Sequence, residues 1–211
     1  VEGEDGGLLL RVVSTDGSRL CYAQAPYQGE FGMGRKMLVS RKALNEIKRL
    51  VDSGEGEACI GFGDRTITVT VGSSVLHARL VDGEFPPYRK VLPTVQSRRA
   101  KIERVPFLDA LKRVALEAQD KASTVRLKFD VDELVASARS VEHGEARHPV
   151  PIDFQGSSIQ VGFNVRFFLD VVSCVNDAFL ELRFDEALSP CIIRPLDRED
   201  ALFVVMPIRL D

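Results

Sequence analysis

Apolar residues recur along this chain in two rhythms. Around 40–52, 106–119 and 164–176 they follow the spacing of one helix face, and each such segment precedes three stretches that alternate apolar and polar like half-buried strands. In the first helical segment Leu44, Ile47, Leu50 and Val51 share a face, Ser40 is placed to cap the start, and Gly54 follows the end. The second has Pro106 in its first turn and directs Leu108, Leu111, Ala115 and Ala118 inward. The third has Asn164 at the N-cap position and Val165, Phe168, Leu169, Val172 and Val175 on its apolar side. Ile67, Val69 and Val71, then Val125, Leu127 and Phe129, carry the cleanest period of two, with turns expected at Gly63-Asp64 and Val131-Asp132. A strand is also predicted ahead of each helix, over 37–39, 101–105 and 159–163. The repeating unit is therefore strand, helix and three strands at roughly sixty-residue spacing, present in three copies. This pattern predicts an α+β fold.

The two ends depart from the repeat. Strands over 8–13 and 19–23 flank the turn Thr15-Asp16-Gly17-Ser18 with no helix ahead of them, like the last two strands of a fourth unit. If units pair into domains, 1–93 forms a domain lacking its opening and 94–211 a full one, with the polar stretch 94–99 at the join. At the other end, Phe203 to Leu210 is an apolar run ahead of Asp211. Left bare it is a sticky patch, so it is expected to form a last strand whose alternate residues finish a sheet and present a docking edge.

Composition narrows the class. The chain has 211 residues, 45% of them hydrophobic, enough for two cores, and its net charge of -3 argues against a uniformly basic nucleic-acid binder while leaving room for a basic face. Cys21, Cys59, Cys174 and Cys191 are scattered without metal-ligand spacing and read as reduced thiols of a cytoplasmic protein. No apolar run reaches membrane-spanning length, and residues 1–5 have neither the basic start nor the apolar stretch of a signal peptide.

Sharper chemistry finds little support. The segment 29–36 is glycine-rich but lacks the Gly-Lys-Ser/Thr ending of a phosphate loop. His143 to His148 holds two imidazoles and a carboxylate without metalloprotease spacing, in an expected strand connection. Asp130, Asp132 and Glu133 lack the glycine and downstream glutamate of a calcium loop. With no nucleophile, base and orienting acid recognisable together, neither catalysis nor a cofactor or metal is expected.

Four segments carry a resemblance: 14–20, the run Leu80-Val81-Asp82-Gly83-Glu84-Phe85-Pro86-Pro87-Tyr88-Arg89-Lys90-Val91-Leu92-Pro93, then 159–165, and 203–210. In order and spacing they are similar to those of bacterial sliding clamps, the β subunits of DNA polymerase III. The resemblance implies a DNA-clamp fold with helices lining the DNA side and antiparallel sheets outside. It implies three-domain subunits closing as a head-to-tail homodimer ring around duplex DNA, with this chain matching most of the second domain and all of the third. Arg41 and Lys42 then open a DNA-lining helix. Lys48 and Arg49, Lys112 and Arg113, and Arg166 are the other cations on the helices' solvent faces. A clamp needs such phosphate-directed, sequence-independent charge.

The resemblance further implies a groove for short peptides of the DNA polymerase III α subunit, the clamp loader and other clamp-binding proteins. Matched residue by residue, it draws on Thr15, Gly17, Arg19 and Leu20, then Pro86, Lys90 and Val91. It adds Asn164, Phe167, Leu188 and Pro190, and the closing residues Val204, Val205, Met206, Pro207, Ile208, Arg209 and Leu210. Ser18, Lys90, Phe167 and Ile208 stand where the family often has His, Arg, Tyr and Met, and Asp211 extends past the usual terminal leucine. Lys90 loses a planar donor fork and Phe167 a hydroxyl, so peptide preference is expected to differ in detail. The competing reading is a non-encircling module that only captures such peptides.

Overall fold

The computed structural model describes residues 2–4, 7–27, 36–93, 95–118, 123–140 and 144–210. They fall into two compact units, one of Val1–Leu10 and Pro26–Pro87, the other of Arg11–Ala25 and Tyr88–Asp211. No described helix is long and apolar enough to cross a membrane. The glycine-rich segment 29–35 and Asp211 lie outside the described residues.

In the first unit, helix α1 (Arg41–Ser53) packs on an antiparallel sheet of β4 (Ala58–Phe62), β5 (Thr66–Val71) and β6 (Ser74–Arg79). Ser40 caps α1 as expected, its hydroxyl accepting from the Ala43 N–H at 3.2 Å. Ile67, Val69 and Val71 form the buried seam, joined by Ile47 and Leu50. Leu44 and Val51, expected inside, are exposed, because the face that meets the sheet is centred on Ala43, Ile47 and Leu50 and leaves them on its flank. The strand expected at 37–39 is a single bridge between Leu38 and Val81.

The second unit carries two full repeats: β7 (Arg98–Glu103), α2 (Arg104–Ala115), β8 (Thr124–Phe129), β9 (Glu133–Ser140) and β10 (Gly144–Gln155), then β11 (Ile159–Asn164), α3 (Val165–Cys174), β12 (Phe179–Phe184), β13 (Cys191–Pro195) and β14 (Ala201–Val205). Their spatial order is β14-β13-β12-β7-β10-β9-β8-β11, every neighbouring pair antiparallel. The opening strands are exchanged: β7 pairs with β12 of the second repeat, and β11 with β8 of the first. The twelve-residue β10 joins the halves, pairing with β9 over 144–151 and with β7 over 152–155. Residues 144–148 thus lie in a strand and not in a connection, since each has a partner on β9.

One core runs beneath both halves. Phe107 of α2 meets Phe168 of α3 edge-on at 6.0 Å, and Phe129 lies 4.8 Å from Phe184 between ring centroids. Helix α2 begins two residues earlier than expected and buries Phe107, Ala110, Leu111 and Val114, while Leu108 and Ala115 are only half-buried. Leu111 and Ala118 are buried as expected, and the bulkier Phe107 and Val114 take the inward places beside Leu108 and Ala115. The chain opens with β1 (Glu2–Glu4) and β2 (Gly7–Thr15), and the hairpin strand that follows, β3 (Arg19–Pro26), extends this sheet by pairing with β14, Arg19 opposite Val205.

Candidate functional site

The apolar C-terminal run forms the last strand only over its first three residues, Phe203 to Val205. Strand β14 ends at Val205, and Pro207, with no N–H to donate, cannot continue a ladder. The tail is instead pinned at two points. The Met206 N–H donates to the Ser18 carbonyl at 2.9 Å, and the Ile208 N–H donates to the Gly162 carbonyl at 2.7 Å. It therefore leads from the hairpin turn to the outer edge of β11, which Ile208 blunts. Beside this bridge an open depression of about 230 Å³ is lined by Gln160, Gly162, Ala187, Leu188, Ile208, Arg209 and Leu210. Leu188 at its rim is 55% exposed.

The turn before β3 is built by its own side chains. Asp16 accepts from the Ser18 and Arg19 N–H groups, both at 3.0 Å, Thr15 donates to the Arg19 carbonyl at 2.7 Å, and Gly17 sits at φ +90°. Partial burial works to raise the Asp16 pKa, but hydrogen bonds from the Arg19 guanidinium and from the Ser18 and Arg19 backbone outweigh it and hold the carboxyl below its usual range. Arg19 then lies over the Phe167 ring, its guanidinium carbon 4.6 Å from the centroid, with Asp16 at 2.9 Å on one edge and Asp170 of α3 ion-paired on another. Asn164 caps α3 by accepting from the Arg166 N–H at 2.9 Å.

The groove candidates of the second unit thus take different positions. Met206, Ile208, Arg209 and Leu210 follow the tail, Lys90, Val91 and Leu188 are exposed, and Pro190 is half-buried behind the 185–189 loop. Leu20 and Val204, 4% and 1% exposed, are covered by Tyr88 and Leu92, and Val205 is fully buried in the main core. These three back the site and offer it no open surface. Pro86 belongs to the other unit and is exposed. Asp16, Gln160 and Gly162 stand in the segments that carry the resemblance but not among the expected site residues, and Asp170 and Ala187 stand in neither. The available signal was a glycine inside a strand pattern, which marks a close backbone approach.

The cations expected on helix solvent faces are all exposed. Lys48 is ion-paired with Asp52, and Arg49 with Glu46 at 3.1 Å. Arg41, Lys42, Lys112, Arg113 and Arg166 form no ion pair among the described residues. Each helix has a cation in its first turn (Arg41 and Lys42, Arg104, Arg166) and none has an acid there. Burial raises the thiol pKa values of Cys21, Cys174 and Cys191, which disfavours their nucleophilic form.

Comparison with known proteins agrees with this architecture. Residues 89–209 match the family model for the C-terminal domain of the DNA polymerase III beta subunit, and residues 2–87 match the model for its central domain. The chain belongs to the DNA polymerase III beta subunit family. It is 34% identical over 203 residues to the beta sliding clamp of Pseudomonas putida, a match covering 95% of this chain and 55% of that relative. The crystal structure of the Thermotoga maritima beta subunit superposes with a TM-score of 0.89 at 29% identity, covering 97% of this chain and 56% of the other. A Pseudomonas aeruginosa sliding clamp solved bound to griselimycin gives 0.90 at 30% identity, covering 97% and 55%. The chain thus spans just over half the length of these relatives. The α+β fold of repeated helices and antiparallel sheets is that of the sliding clamps.

Proposed function

We propose that this chain is the peptide-binding and part of the DNA-facing portion of a non-catalytic sliding clamp. In the full-length protein it acts as a head-to-tail homodimer ring on duplex DNA in the cytoplasm, tethering the polymerase α subunit, the clamp loader and other partners by short peptides. Residues 1–93 serve as the middle domain and 94–211 as the C-terminal domain. One observation carries this reading: the tail, pinned at the 15–18 turn and at Gly162, lines an open depression with Leu188 and Leu210, and the same turn places Arg19 over Phe167. Apolar walls with a few oriented polar groups suit an extended apolar peptide. Griselimycin, bound by the Pseudomonas aeruginosa relative, is the natural first probe.

Met206 anchors the tail to the turn through its backbone, and its half-buried thioether is flexible enough to fill a subsite. Met206→Ala is expected to weaken binding of griselimycin and of a labelled extended apolar peptide by at least ~1 kcal/mol by calorimetry. Unchanged affinity would remove Met206 from the site. Truncation is a cleaner companion if it starts after Val205, because Val205 belongs to the core.

For DNA, the first-turn cations support the reading because stability does not explain them. A helix N-terminus carries a partial positive charge that disfavours Arg and Lys but welcomes phosphate. In the full-length ring, replacing Arg41 and Lys42 by alanine is expected to reduce the slope of log K against log salt by about 1.8 for each protomer whose two residues contact phosphates. An unchanged slope would exclude them from DNA contact. Lys48 and Arg49, already paired on their own helix, are expected to contribute less.

A further inference from the structure

We infer that Asp170 is a positioning residue of the peptide groove, one that fixes Arg19 over Phe167. The inference rests on the groove reading above. On helix α3 the ordinary neighbour of Asp170 is Arg166, four residues earlier and exposed, yet Asp170 forms its ion pair with Arg19, 151 residues away in sequence. Asp16 already holds the guanidinium at Nε, 2.9 Å away, from within the turn. One carboxylate leaves a planar guanidinium able to swing about that contact. A second on a terminal nitrogen defines its plane. The carbon at the centre of that group lies over the Phe167 ring, 4.6 Å from its centroid. Phe167 has no hydroxyl with which to hold its neighbour, so the stack depends on the two carboxylates. Asp170 thereby joins the first helical turns of α3 to the 15–18 turn and makes Arg19 a fixed wall.

The inference is tested by Asp170→Ala and Asp170→Glu in the 211-residue chain, alone and combined with Arg19→Ala. In the free protein, the Arg19 Nε–H proton is expected to show a ring-current shift in its NMR signal that Asp170→Ala abolishes and Asp170→Glu largely retains. The thermal midpoint should not move, since Asp170 is exposed. The labelled peptide is expected to bind Asp170→Ala about five- to tenfold more weakly, Asp170→Glu nearly normally, and the Arg19→Ala, Asp170→Ala double variant no more weakly than Arg19→Ala. An Arg19 resonance indifferent to Asp170→Ala, or penalties that add in the double variant, overturns the inference while leaving the groove in place. A wild-type chain that binds neither the peptide nor griselimycin overturns the groove itself and this role with it.

Discussion

Replacing Gly162 with alanine is expected to unseat the C-terminal tail, with a loss of about 1–3 kcal/mol in stability and about tenfold in peptide affinity. A β-carbon at this position would stand 2.5 Å from the Leu210 Cδ2 and 2.8 Å from the Ile208 carbonyl oxygen. The leucine side chain can turn aside. The carbonyl is main chain, and moving it strains the adjoining bridge in which the Ile208 N–H reaches the Gly162 carbonyl at 2.7 Å. Relief therefore requires displacement of the segment that supplies Ile208, Arg209 and Leu210 to the depression. Urea unfolding measures the stability term, and fluorescence anisotropy with the labelled peptide measures the affinity. If both are unchanged, the tail is not held against β11 in solution.

Glu181→Ala is expected to be the costlier change for the fold, by about 3 kcal/mol in urea unfolding. The Glu181 side chain is only 1% exposed, and around it lie Arg99 of β7, Arg183 two residues along its own strand at 2.6 Å, and Arg194 at 4.0 Å on β13. Glu181 and Arg194 stand directly opposite in the ladder. Taking away the carboxylate leaves three guanidiniums facing one another across neighbouring strands. Glu181→Gln keeps the shape and an acceptor, and should cost about 1–2 kcal/mol. Because the residual effect in the alanine variant is repulsion between partly exposed cations, added salt should recover part of the loss. A urea midpoint equal to wild type would show that the arginines are sufficiently solvated without their shared partner.

What could be read beforehand was local. Ser40 and Asn164 announced helix starts because capping chemistry is decided within three residues, and both cap as expected. The period of two in Val125, Leu127 and Phe129 declared its buried face because three alternate apolar residues have one satisfactory environment. The tail was less legible: its composition suits a strand, but Pro207 and the edge of β11 redirect it. Glu181 sits in an alternating segment where a carboxylate normally faces water, and its burial depends on arginines from two other strands. Asp170 was hidden for a related reason, since nothing near it in the chain points to the 15–18 turn. Each of these residues acquires its role from a partner distant in sequence, which periodicity along one segment does not register.

The exchange of opening strands between the two repeats of the second unit bears on how that unit folds. Each three-strand meander is completed by a strand from the other repeat, Glu103 of β7 pairing with Phe179 of β12 and Ile159 of β11 with Phe129 of β8. Neither repeat is thus a self-sufficient folding module, although each reads as one in sequence. The β7–β12 pairing must close a loop of more than seventy residues, so folding is governed by long-range encounter and proceeds slowly compared with a bundle of similar size. Cutting the chain in the 156–158 turn would separate the repeats covalently while leaving each half with an edge that only the other half satisfies, the arrangement from which split proteins reassemble by complementation.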